Sequence, residues 1–305
     1  MRDSPYSSNL MTNPYLSKLG FSPTDRVAIV HTDDIGMCHA TLPAIADLMD
    51  FGLVTSAAVM VPCPWFQGAA QYAQAHPGAD FGVHLTLNSE WSNYRWGPVS
   101  TRDTASGLMD DEGYFFSRTE PTQTHADVAS VRRELDAQLA MAKAAGISPT
   151  HADTHMFCVG HPRLFAAYVQ AALDAGTFPL AFLPGTGAWR LLFGDADIPE
   201  LAQAAHELAE RGLPLVDDIQ WMNLQTHEDR LEEAKTKFAA LQPGITHFLL
   251  HPSVDTPELR AIAPDWRCRV ADYETFMSQE LKDYVKEIGV QLIGYRALLE
   301  AMGSK

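Results

Sequence analysis

Short apolar runs alternate with amphipathic segments along most of the chain. The run at 27–30 is almost entirely apolar, which is typical of a strand in a parallel sheet covered by helices on both faces. A helix is predicted next, because one stripe before Gly52 carries Leu42, Ile45, Ala46, Leu48 and Met49. Further buried strands are predicted at 54–61 and 80–87, separated by a helix that begins near Pro62 and Pro64. The first third of the chain therefore reads β, α, β, α, β.

The pattern breaks between residues 88 and 125, where glycine, proline, serine and aspartate mix with aromatic residues. A loop of this length in a compact domain is usually a lid or a binding loop. Its flat side chains are Trp91, Tyr94, Trp96, Tyr114 and Phe115. The clearest helix of the sequence follows at 127–146, and the polar stretch 150–155 reads as the end of a fourth strand.

The second half of the chain repeats the alternation. Helices are predicted near 162–175, 199–211, 228–241 and 270–288, each followed by a strand, at 179–184, 213–217, 244–252 and 290–295. Seven or eight β/α units with no linker between them favour a single irregular (β/α) barrel of seven or eight parallel strands. We expect an irregular N-terminal arm at 1–25 and one barrel domain at 26–305.

Composition narrows the class of protein. The chain has 305 residues, 46% of them hydrophobic, which is enough for one large core. Its net charge of -16 is spread without acidic or basic blocks, which argues against nucleic acid and anionic membranes as partners. No apolar run reaches the roughly 20 residues of a membrane-spanning helix, and residues 1–25 lack the apolar core of a signal peptide. Together with four dispersed cysteines, these features lead us to expect a cytoplasmic protein.

Polar residues at the ends of predicted strands are the exceptions that indicate chemistry, because strands of a parallel barrel are apolar until their carboxyl ends. Four strands end in acids or histidines: Asp33 and Asp34 on the first, His84 on the third, His151, Asp153 and His155 on the fourth, and His251 on the seventh. Alternation along an extended segment places the three residues of the fourth strand on one face.

One carboxylate with two imidazoles is a ligand set for a divalent metal ion, zinc or another first-row ion. Taken singly, a strand histidine such as His84 is more often a hydrogen-bonded core residue, and the two aspartates read equally as a helix cap before Gly36. Their shared position at strand ends favours a functional site. His31 and His247 also lie in strands, where their side chains are expected to point away from the pocket, and His161 lies either at the mouth of the site or before a helix.

Five segments resemble the YdjC-like carbohydrate deacetylases. HTDDIG at 31–36 is similar to the family's NADDFG motif. Four more segments follow in the family's order at similar spacing: GLVTSAAVMV (52–61), GVHLTL (82–87), PTHADTH (149–155) and HPS (251–253). The resemblance covers the chain from about residue 26 to its end. It implies a polysaccharide-deacetylase-like barrel that removes an N-acetyl group from an acetylated amino sugar or oligosaccharide.

The resemblance also implies residue roles. Asp34, His84 and His155 match the positions that bind the metal, which we expect to be one divalent ion, magnesium or zinc. Asp33 matches the general base and His251 the general acid. The strand pattern, apart from the resemblance, leads us to expect that His151 and Asp153 orient the metal ligands through hydrogen bonds.

The sequence departs from the family pattern at two places near the predicted pocket. His31-Thr32 stands where the family has an asparagine before the acids, and the histidine-rich run after the third ligand is reduced to His155-Met156-Phe157. Two alternatives stay open: another two-His, one-carboxylate metalloenzyme such as a non-haem iron oxygenase, and an inert sugar-binding relative. The expected partner is a small carbohydrate, and a homodimer is left open.

Overall fold

The structure is a computed structural model that describes residues 13–184, 186–193 and 198–303. Its strands are β1 (Arg26–Ile35), β2 (Ser56–Val59), β3 (Phe81–Leu85), β4 (His151–Thr154), β5 (Phe178–Pro179), β6 (Asp218–Trp221), β7 (Gly244–Leu250) and β8 (Gln291–Leu292). All of the paired strands run parallel, in the order β5-β4-β3-β2-β1-β7-β6, with β8 paired to the start of β1.

Helices cover the connections between the strands. They are α1 (Pro14–Lys18), α2 (Thr41–Phe51), α3 (Phe66–Ala75), α4 (Thr119–His125), α5 (Val128–Ala144), α6 (Pro162–Asp174), α7 (Gly187–Phe193), α8 (Pro199–Glu210), α9 (Arg230–Ala240), α10 (Pro257–Ile262), α11 (Trp266–Phe276), α12 (Gln279–Glu287) and α13 (Tyr295–Gly303). Two short 3₁₀ helices lie at Thr104–Ser106 and His155–Gly160. No helix in the described ranges combines the length and apolarity needed to cross a bilayer.

The two ends of the sheet order approach each other. A parallel bridge joins Phe182, just after β5, to Val216, just before β6, and the Val216 amide donates to the Ala181 carbonyl at 2.9 Å. The sheet therefore curls around a common interior. The prediction of an irregular (β/α) barrel of parallel strands is confirmed.

The interior of the barrel is closed at the end opposite the strands' carboxyl ends. Val27 and Ile29 of β1 are fully buried in one apolar cluster with Phe178 and Tyr295. Tyr15 of α1 joins the same cluster. Because alternate residues of a strand share a face, His31 and Asp33 follow Val27 and Ile29 on this inward side. Strand β1 thus leads from an apolar floor to a polar mouth.

The sequence misplaced several boundaries. The predicted strand 213–217 is mostly irregular, and β6 begins at Asp218, because Asp217 uses its side chain to accept from the Ile245 amide at 2.7 Å. The predicted helix 270–288 is two helices, since Ser278 caps a new helix after Met277. The loop at 88–125 contains α4.

The expectation of an irregular N-terminal arm also needs correction. The arm contains α1, which begins where Asn13 accepts from the Tyr15 amide at 3.0 Å. The Asn13 side chain also donates to the Leu215 carbonyl at 2.7 Å, which ties the arm to the segment before β6. Residues 1–12 of the predicted arm lie outside the described residues.

Candidate active site

The two adjacent carboxylates of β1 face the same cavity, which regular strand alternation would not allow. Asp34 has a left-handed backbone with φ of 64°, and the pairing of β1 with β2 shifts register between Thr32 and Ile35. Such an irregularity re-aims side chains, and aspartate tolerates the left-handed region better than most residues. The backbone at the end of β1 therefore delivers both acids to one site.

Three of the predicted ligands converge in this cavity. Asp34, His84 and His155 are buried and offer ligand atoms that lie within 4.8 Å of one another. Asp34 Oδ1 is 3.1 Å from His155 Nδ1 and 3.6 Å from His84 Nε2, and apart from these two imidazoles it has no hydrogen-bond partner among the described residues. A buried carboxylate oxygen whose only described polar neighbours are two imidazole nitrogens fits a divalent cation.

Two other residue groups meet the same distance criterion, namely Asp33 with His84 and Asp153, and His31 with His151 and Asp153. Both depend on Asp153, whose oxygens are already engaged: Oδ1 is 2.8 Å from His84 Nδ1 and Oδ2 is 3.0 Å from His31 Nε2. The group built on Asp34 is therefore the best candidate for a metal.

Two carboxylates determine which ring nitrogen of His84 and of His155 faces Asp34. Asp153 binds Nδ1 of His84, which leaves Nε2 of that ring facing Asp34. Glu90 binds Nε2 of His155 at 2.9 Å, which leaves Nδ1 of that ring facing Asp34. Carboxylates behind metal-binding histidines commonly play this orienting part. Asp153 was predicted to orient the ligands, whereas Glu90, on the aromatic loop, was missed. His151 was placed with Asp153, but its described hydrogen bond is with Thr150, at 2.9 Å.

The charges around Asp34 favour its ionised form. Burial raises the pKa of this carboxyl group, but His155 and Arg269 outweigh burial and hold the pKa well below its usual range. Arg269 Nη1 donates to Asp34 Oδ2 at 2.7 Å, and its Nε donates to Asp265 at 3.0 Å. Arg269 lies on α11 and is a site residue that the sequence did not reveal.

The same attraction acts on the imidazoles. Burial lowers the pKa of His84, but Asp153 and Asp33 outweigh it and raise the pKa to about 9. For His155, the carboxylates of Glu90 and Asp34 overcome burial and raise the pKa to about 10. Without a bound cation, both rings are therefore protonated at neutral pH.

Asp33 lies between His251 and the group of Asp34, His84 and His155. Its Oδ2 is 3.8 Å from His84 Nε2 and 3.8 Å from His251 Nε2. Burial raises the pKa of Asp33 to about 6 and lowers the pKa of His251 to about 3. His251 is therefore neutral at rest and has to receive a proton before it can donate one. The Asp272 side chain accepts from the backbone amide of His251 at 3.0 Å and so positions the backbone of His251.

His31 and His247 lie on the inward face of the barrel, contrary to the expectation that they point away from the pocket. His31 Nε2 is 3.0 Å from Asp153 Oδ2 and 3.4 Å from Asp33 Oδ1. His247 lines the cavity and shares a 2.6 Å hydrogen bond with the Tyr295 hydroxyl. The other open case, His161, caps the start of α6.

The cavity has a volume of about 480 Å³. Trp91 and Glu90 of the aromatic loop line it, together with Arg269. Trp96 is buried against this wall and donates to the Asn88 carbonyl at 2.9 Å, so it acts in packing. The loop thus contributes one wall of the site.

Comparison with known proteins identifies the relationship. The family model described as YdjC-like protein matches residues 27–287. The chain belongs to the YdjC-like family. This YdjC-like chain is 34% identical over 94% of its length to a protein from Thermus thermophilus named carbohydrate deacetylase, 98% of which is covered. It is 23% identical over 88% of its length to a protein of the same name from Thermoanaerobacter pseudethanolicus, again with 98% covered.

The YdjC-like fold is also found in a crystal structure from Enterococcus faecalis named "putative cellobiose-phosphate cleavage protein". The match covers 90% of this chain and 99% of the other, with a TM-score of 0.72 and 22% identity. At this identity the likeness shows a shared fold alone.

Proposed function

We propose that the protein is a metal-dependent carbohydrate deacetylase that hydrolyses the N-acetyl group of an amino sugar or oligosaccharide. The names of its relatives support the reaction class. The observation that carries the proposal is the buried group of Asp34, His84 and His155 with Asp33 beside it. Binding groups and a proton acceptor thus share one cavity.

Asp34, His84 and His155 would hold the cation through Oδ1, Nε2 and Nδ1. A bound divalent ion supplies a Lewis acid that polarises the amide carbonyl and lowers the pKa of a coordinated water from about 15.7 toward about 7 in favourable zinc cases. The mixture of one carboxylate and two imidazoles suits zinc and other first-row ions, and magnesium stays a candidate.

Asp33 would take the proton of the attacking water at Oδ2. Its pKa of about 6 lies near neutral pH, where a general base is most effective. The water oxygen first bonds to the amide carbon, and the C–N bond then breaks, giving acetate and a free amine. His251 would protonate the departing nitrogen. Its Nε2 lies 3.8 Å from Asp33 Oδ2, so the proton that Asp33 takes would reach His251 through one bridging water.

An acetate-release assay on N-acetylated mono- and oligosaccharides tests the proposal. The protein is treated with chelator and then supplied with magnesium, zinc or other divalent ions one at a time. We expect chelator to abolish acetate release and one ion to restore it. Absence of chelator-sensitive release from every substrate would contradict the proposal, and metal-dependent oxygen consumption would favour the oxygenase alternative.

A further inference from the structure

The cavity that contains the metal-type cluster is divided into two chemically different halves. One half carries the acids and histidines at the ends of β1, β3, β4 and β7. The other half, which we call the apolar wing, consists of Leu180, Phe182, Ile219, Trp221 and Leu249. These five residues lie on or directly beyond β5, β6 and β7. The wing is therefore a wall of the barrel interior, continuous with the cluster.

The apolar wing is poorly suited to a sugar ring. Leu180, Phe182 and Ile219 are 8%, 4% and 5% exposed, and their side chains offer no hydrogen-bonding atom. A hydroxyl group that loses water without gaining a partner costs about 1–3 kcal/mol. Each sugar hydroxyl turned toward these three side chains would carry such a cost, whereas a hydrocarbon group would gain from burial.

The direction of the wing follows from the amide geometry, and this step rests on the proposed function. A planar amide carbon has three substituents. With the proposed residue roles, its oxygen would face the group of Asp34, His84 and His155, and its nitrogen would face His251. The third substituent would then be directed toward the remaining lining of the cavity, and on the side of β5 and β6 that lining is the apolar wing.

We infer that the apolar wing accommodates an acyl chain longer than acetyl, so the substrate class is an amino sugar bearing an N-linked hydrocarbon acyl group. The sugar stays toward the open mouth, near Glu90 and Asp265. The reaction keeps its balance: water oxygen bonds to the acyl carbon, the C–N bond breaks, and a carboxylate and a free amine are released. No co-reactant other than water is required.

A chain-length series tests the inference. Amine release is measured for N-acetyl-, N-butanoyl- and N-hexanoylglucosamine with the metal-loaded protein, beside the octyl glycoside of N-acetylglucosamine. We expect kcat/KM to rise about fourfold for each methylene that enters the wing, which corresponds to about 0.8 kcal/mol per buried methylene.

Three other outcomes are distinguishable. Falling activity with longer acyl chains would overturn the inference while leaving the deacetylase proposal standing. A gain confined to the octyl glycoside would overturn it too, because the wing would then hold the aglycone. No hydrolysis of any compound would overturn the proposed function and the inference with it.

Variants locate the effect in the wing. Ile219→Phe narrows the wing, and we expect the ratio of hexanoyl to acetyl kcat/KM to fall at least tenfold. Leu231→Phe on α9, a half-buried position outside the cavity, is the matched control and should keep the ratio. A ratio within one preparation is insensitive to partial misfolding, and Leu249→Phe provides a second narrowing variant. Unchanged ratios in both narrowing variants would refute the inference.

Discussion

Replacing Asp33 with asparagine separates the predicted base from the predicted ligands. The substitution keeps the size of the side chain and removes its negative charge. A positioned general base contributes about 10²- to 10⁴-fold to rate, so kcat should fall by that factor, or about 3–5 kcal/mol in activation free energy. Metal affinity should be retained, because Asp33 Oδ2 is 3.8 Å from His84 Nε2 and lies outside the three-residue group.

The same substitution should stabilise the metal-free fold. Burial raises the pKa of Asp33 from 3.8 to about 6, so the folded state holds its proton more tightly than the unfolded state does. For an acid this means that stability is lost as pH rises from about 4 to about 6. Above pH 6, a shift of about two pKa units corresponds to a loss of about 3 kcal/mol in the free energy of unfolding. Asp33→Asn removes this loss and should be more stable than the parent at pH 8 by up to that amount.

Three measurements follow the variant in parallel with a control. Acetate release gives kcat, calorimetric titration gives metal affinity, and urea unfolding in chelator at pH 5 and pH 8 gives stability. Asn in place of the exposed Asp111 is the control and should change none of them. Near-full turnover in Asp33→Asn would refute the assignment of the base, and loss of metal would show that Asp33 is itself a ligand.

Two further predictions concern charge in the site. Histidine must lose a proton to bind a metal ion. Because neighbouring carboxylates outweigh burial and raise the pKa values of His84 and His155 to about 9 and about 10, metal binding at pH 7 should release about two protons. Affinity should rise with pH up to about 10, the higher of the two pKa values. Calorimetry in buffers of different ionisation enthalpy measures the protons released, and release of none would contradict the prediction. Arg269→Met leaves the buried Asp34 carboxylate without its 2.7 Å partner and should destabilise the metal-free fold by about 3–5 kcal/mol in urea unfolding. Arg132→Met removes two surface ion pairs, with Asp136 and Asp174, and should cost about 1 kcal/mol, so equal losses would refute the special role of Arg269.

The sequence predicted the parts of the site that follow from local pattern. Asp34, His84 and His155 interrupt apolar strands at their carboxyl ends, and parallel strands bring such ends together. The partners of Asp34 and His155 were not predicted, because they do not lie at strand ends. Arg269 lies on a helix 235 residues after Asp34, and Glu90 lies on an aperiodic loop. No periodicity links such residues to a strand end, so only the folded chain reveals the contacts.

The limits on predicting the fold have a similar origin. Strand β6 has the sequence DIQW, in which Asp218 and Gln220 interrupt the apolar pattern of a buried strand. The apolar residues just before it fit that pattern better, so the hydrophobic pattern predicts the strand at 213–217. Just before the strand, the Asp217 side chain accepts from the Ile245 amide of β7 in place of a backbone carbonyl. A polar side chain that satisfies a backbone group on another strand is invisible in a hydrophobic pattern. The overall alternation of strands and helices was robust because it depends on many residues at once.

Anomalous X-ray scattering from crystals grown with zinc or manganese tests the central claim most directly. The account predicts one strong anomalous peak about 2.0–2.2 Å from Asp34 Oδ1, His84 Nε2 and His155 Nδ1 for zinc. A peak between His31, His151 and Asp153, or no peak in the cavity at a metal concentration that supports activity, would contradict it.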